Sequence, residues 1–157
     1  MKSLFYTFLS ILCIIAFACK EANTNNPGND ATKKVMTKED SAYTEALDIH
    51  DEVMPKMGKI IGYQKKAQQR LDSVAQLLKK NGLAGAKEFK QRVDSLLFEL
   101  KLAERGMNDW MEGFTAEPKL PTTEERTAYF EDQKVKALKM KDKFFTALDK
   151  AKAMLGE

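Results

Sequence analysis

Two short stretches of this chain gather the residue types best able to do chemistry. His50-Asp-Glu-Val-Met-Pro-Lys-Met-Gly58 holds the sequence's one histidine, two of its eight methionines and a proline inside a helical pattern. Met107-Asn-Asp-Trp-Met111 holds the one tryptophan and two more methionines. Thioether sulfur and neutral imidazole are soft donors that suit Cu(I) or Ag(I), and an indole face can lie against a bound cation. His50, Met54 and Met57 fall at three- and four-residue spacings, so a helix turns all three donors to one side. Pro55 cannot donate to the carbonyl of Asp51 and loosens the helix beside them. The same residues also make a coherent core. Methionine fills irregular gaps, Trp110 with Phe114 brings a large apolar area, and His50 has Asp51 or Glu52 within reach. Core packing is the weightier reading. A ligand layer of His50, Met54, Met57, Met107, Trp110 and Met111 is the alternative.

Other chemistry finds little to work with. The sequence has no Gly-x-Ser-x-Gly elbow, no phosphate-cradling glycine loop and no His-Glu-x-x-His pair. A di-iron bundle needs inward Glu-x-x-His repeats, and a haem held by His50 and a methionine would crowd a three-helix bundle. No catalytic residues are expected. The net charge of +3, with both signs interleaved, gives no reason to expect a nucleic-acid partner.

The first 36 residues read as attachment. Met1-Lys2-Ser3 is a short basic start, and Leu4 to Ala18 is apolar apart from Thr7 and Ser10. That run falls short of the ~20 residues that span a bilayer and suits a secretory signal over residues 1–18. It ends in Ala16-Phe17-Ala18-Cys19, which resembles the lipobox of bacterial lipoproteins, with Cys19 acylated as the new N-terminus. Cys13 would leave with the signal and Cys19 would carry lipid, so neither cysteine remains for a disulfide or a metal. Residues 19–36 then form a polar tether, since Asn23 to Thr32 has no apolar face.

Residues 37–157 read as the helical domain, with helices expected over about 38–80, 85–114 and 122–155. Thr37-Lys-Glu-Asp40 and Thr122-Thr-Glu-Glu125 look like N-terminal caps, and Glu117-Pro-Lys-Leu-Pro121 breaks the pattern between the second and third helices. The first helix shows a stripe of Leu47, His50, Met54, Met57, Ile61, Gln64, Gln68 and Leu71, widened on one side by Val53, Ile60, Ala67 and Val74. Phe89 to Phe114 and Tyr129 to Leu155 repeat the spacing. Short loops between long helices predict an all-α, up-down-up antiparallel three-helix bundle, coiled-coil-like in its packing. In that register Met54 faces Met111, Met57 faces Trp110 or Met107, and His50 lies near Phe114.

The pair His-Asp-Glu-Val-Met-Pro-Lys-Met-Gly and Met-x-x-Trp-Met-x-x-Phe resembles a family of small Bacteroidetes lipoproteins, often labelled viral A-type inclusion proteins. The resemblance covers most of residues 37–157 and brings no catalytic residues with it. It implies a helical lipoprotein of the cell envelope, held to a membrane by lipid on Cys19, the outer membrane more readily than the inner. The expected role is an interaction or structural module that meets another envelope protein. Binding of Cu(I), Ag(I) or a small ligand by the His/Met/Trp layer is the alternative.

Overall fold

The computed structural model describes residues 35–81 and 84–156. The expected signal segment, Cys19 and nearly all of the expected tether lie outside the described residues, as do Gly82 and Leu83. The described residues are helical with short connections, and there is no strand among them.

The first helix begins where the sequence places a cap. The Thr37 hydroxyl accepts from the Asp40 N–H at 3.1 Å, while the Asp40 carboxylate accepts from the Thr37 N–H at 3.1 Å. Two donors that a helix start leaves without partners are thereby satisfied. α1 runs Lys38–Val53 and passes through a 3-10 turn, Met54–Lys56, into α2, Met57–Asn81. Pro55 is the cause. Without an N–H it leaves the Asp51 carbonyl unserved, and the tighter turn takes up the fault. The path stays helical, because the Met54 N–H reaches the His50 carbonyl and the Met57 N–H reaches the Met54 carbonyl. The single helix expected over 38–80 is thus two helices in series.

α3, Ala86–Gly113, follows Gly85, whose φ of 81° is a left-handed conformation that glycine adopts without a Cβ penalty. α4, Thr123–Leu155, opens on Thr122, which exchanges the same pair of cap bonds with Glu125.

α1 packs on α4, α2 on α3, and α3 on α4, so three helical layers press on one another. Where α1 meets α4, Glu39 pairs with Arg126, Glu45 with Lys134 and Glu52 with Lys141, the numbers rising together. Where α3 meets α4, Trp110 bonds Gln133 and Glu99 pairs with Lys150, so one number rises as the other falls. Gln64 reaches across from α2 to the Leu100 carbonyl and the Glu104 carboxylate on α3.

The main core joins Val53, Ile60, Leu100, Met107 and Phe144, all fully buried. Smaller clusters flank it, one around Ala46, Ile49, Trp110 and Ala137 and another around Ala67, Leu71, Val93 and Leu97. This corrects the stripe drawn from the sequence for the first helical segment. Ala42, Ala46, Val53, Ile60, Ala67 and Val74 face inward, while Met54, Ile61 and Gln68 face solvent. The burying face is the one its alanines and β-branched residues mark, because small side chains let helix axes approach closely.

Phe144→Ala should cost about 3–5 kcal/mol, the range for emptying a buried aromatic site. Leu138→Ala, on a half-exposed site of the same helix, should stay within about 0.5 kcal/mol. Urea denaturation of both variants checks the assignment of inner and outer faces. The Lys134 ammonium, and then the Ser41 hydroxyl, hold the Glu45 carboxyl below the usual carboxylate range. A carboxyl so lowered contributes stability above its unfolded pKa and loses it as pH falls through its folded one. Glu45→Gln should therefore be slightly less stable than the parent at neutral pH and converge with it in acid, which melting curves at the two pH values would show.

Candidate functional site

α1 and α3 bring the histidine and the tryptophan together. Their ring centroids lie 5.7 Å apart, with the planes tilted by 30°. Trp110 stacks in turn on Phe114 at 4.9 Å. Phe114 caps α3 in an extended conformation and reaches Tyr43 of α1 and Phe130 of α4. The result is an aromatic column at the end of the bundle where α1 starts. Its members come from both sides of the Pro118–Pro121 loop, so the column closes that end. Offset ring contacts of this kind contribute about 0.5–1.5 kcal/mol each beyond the area they bury.

The indole is buried and its N–H is satisfied. Trp110 Nε1–H donates to the Gln133 main-chain carbonyl at 3.1 Å. Gln133 is itself only 5% exposed, the one buried polar residue among the described residues. His50 sits at the column's edge with its side chain 22% exposed, and its Nδ1–H donates to Asp51 Oδ1 at 2.8 Å. The register expected from the sequence set His50 beside Phe114. The structure sets it beside Trp110, about one helical turn away.

The methionines divide. Met107 is fully buried in the main core with Ile60, Leu100 and Phe144. Met57 and Met111 are partly buried against that core, and Met111 also touches the cluster that holds Trp110. Met54 does not join them. It lies in the 3-10 turn, 42% exposed, so the expectation that it faces Met111 is corrected. The cause is local. A 3-10 turn advances each residue by a larger angle than an α-turn, and the inward position of this segment belongs to Val53.

A soft-ion site needs donors converging on a space an ion can enter. Here one sulfur sits in the core, one faces solvent, and an imidazole nitrogen is already bonded to a carboxylate. The grooves described on the surface lie elsewhere. One of about 690 Å³ runs beside α3 and α4 past Leu96, Glu99, Lys150 and Met154. Among the described residues, no three of His, Cys, Asp and Glu gather in a way that could hold a metal ion. Met107 and Trp110 instead pack where the helices meet, in the main core and in the cluster with Ala46, Ile49 and Ala137.

Sequence reasoning missed two members. Gln133 falls at three- and four-residue steps from Phe130 and Ala137, a polar residue on an apolar face, which is the signal that marks a buried partner. Tyr43 sits one residue from the inward Ala42, and nothing in the spacing gave it away.

Met107→Ala should cost about 2–5 kcal/mol through cavity formation, whereas Met54→Ala should change stability by less than about 0.5 kcal/mol. Thermal melts of the two variants decide whether the methionines form one layer or two environments. Comparison with protein-family models, with curated proteins and with solved structures finds no match to this chain.

Proposed function

We propose that this chain is a lipid-anchored lipoprotein of the bacterial cell envelope, whose up-down-up three-helix bundle serves as a non-catalytic interaction and structural module. One observation carries the choice of module over ligand binder. Two of the side chains able to bind are spent on packing: Met107 is fully buried, and the Trp110 N–H is bonded to the Gln133 carbonyl inside the bundle. Buried, satisfied groups of this kind specify a register. The up-down-up order is supported by the ion pairs whose numbers rise together between α1 and α4, by Gln64 meeting Leu100 and Glu104 while Ala67 and Leu71 cluster with Val93 and Leu97, and by Trp110 meeting Gln133 while Glu99 meets Lys150.

The anchoring half of the proposal is supported by the apolar run ending at Cys19 and the polar spacer that follows. No helix of the described residues is long and apolar enough to cross a membrane, and acylation of Cys19 supplies the attachment in this reading. The resemblance to small Bacteroidetes lipoproteins points the same way. The outer membrane is the proposed site.

Two measurements test the reading. In cells given a clickable palmitate analogue, the parent should be labelled and Cys19→Ala should not. Label that survives the substitution, or a parent that takes none, defeats the anchor. A Cu(I) and Ag(I) titration followed by Trp110 fluorescence should show no binding at micromolar metal. One-to-one quenching that both His50→Ala and Met57→Ala weaken, with the fold intact, would replace the module by a soft-metal binder.

A further inference from the structure

The charged side chains of the bundle are not evenly spent. Glu39, Glu45, Glu52 and Glu99 each meet a cation on α4. By contrast Lys59, Lys65 and Arg70 of α2 have no acid partner among the described residues, and neither does Asp48 of α1 a cation. The two helices in series are also opposite in sign. α1 carries Glu39, Asp40, Glu45, Asp48, Asp51 and Glu52 against Lys38. α2 carries Lys59, Lys65, Lys66, Arg70, Lys79 and Lys80 against Asp72.

The two halves meet at an apolar, uncrowded place. Met54 and Ile61 are 42% and 38% exposed there. Gly58 and Gly62 are exposed beside them, and a Cβ built on either would meet nothing in the chain. Asp48 and Asp51 before the 3-10 turn, and Gly58, Gly62 and Lys65 after it, are all exposed, and within each helix they recur at three- and four-residue steps, so each helix turns them outward together.

We propose that this face of α1 and α2 docks a second copy of the chain in inverted orientation, about a two-fold axis near Met57. Inversion sets Asp48 against Lys65 and Lys66 of the second copy and Thr44 near its Arg70. It also brings Met54 toward Ile61 across the axis, while the glycines let the helices approach. Each contact occurs twice, as a two-fold interface requires. The charge pattern selects this occupant over an anionic surface. A membrane or nucleic acid long enough to take the cations of α2 would also meet Asp48 and Asp51 of α1, whereas an inverted copy sets Asp48 against those cations. This rests on the module reading and names its partner.

The test is the molar mass of the full chain in a neutral detergent, by sedimentation equilibrium at low and high salt. The parent should have the mass of two chains at tens of micromolar and low salt, and dissociate as salt rises. Lys65→Glu/Lys66→Glu and Asp48→Lys/Asp51→Lys should each pair at least about tenfold more weakly, and an equimolar mixture of the two should recover the paired mass. Gly58→Gln adds bulk that the single chain has room for, so helicity by circular dichroism should hold while pairing falls. A parent that stays monomeric, or a paired mass that neither salt nor charge reversal moves, overturns the proposal. Failure here is separable from failure of the module reading. A monomer that binds no Cu(I) removes only the self-pairing, while tight Cu(I) binding removes the module whatever the mass.

Discussion

One buried hydrogen bond constrains the packing of α3 on α4, from the indole N–H of Trp110 to the main-chain carbonyl of Gln133. A donor taken from water and left unmet costs about 1–3 kcal/mol, so the rotation of α3 against α4 is restricted to settings that make this bond. That setting turns Phe114 toward Tyr43 and Phe130, and gives His50 an indole to lie against. It also points Met107, one turn earlier, into the centre. A hydrophobic face alone tolerates small slips of one helix along another. A directed bond inside that face does not.

The fold was legible in the sequence to the extent that local chemistry decides it. Both capping boxes, at Thr37 and Thr122, could be read directly, because a hydroxyl three residues before an acid serves the helix start wherever it occurs. The inward face of α3 was equally plain, since Val93, Leu96, Leu100, Ala103, Met107 and Trp110 leave no other apolar stripe. The first helical segment was harder. Its large apolar residues, Met54, Ile61 and Leu47, outweigh its alanines on any scale of hydrophobicity, yet Ala42 and Ala46 are fully buried and Met54 is not. Size misled because close helix approach rewards small residues.

The candidate site was less legible, for a reason that can be located. Pro55 announces a disturbance but does not say whether it becomes a kink, a break or a 3-10 turn, and each sends the following residues to a different angle. The structure has the 3-10 turn. That choice faces Met54 to solvent and leaves Met57 against the core. The neighbours of His50 could not be fixed either, since a one-turn slip exchanges Phe114 for Trp110. Gln133 carried a signal, a polar residue in an apolar series, but its service to Trp110 through the main chain left no trace in side-chain type.

The two ways α4 is engaged differ in how far apart the partners lie along the chain. Trp110 and Gln133 are 23 residues apart, whereas Glu39 and Arg126 are 87 apart. Closing the longer loop costs about 1 kcal/mol more in chain entropy, which favours the joining of α3 to α4 over that of α1 to α4. α1 buries Ala42, Ala46, Ile49 and Val53, two of them alanines, so its inward face is made of small and medium side chains. Among the described helices α1 is made first and its partner α4 last, so during synthesis their docking waits for α2 and α3 to be made.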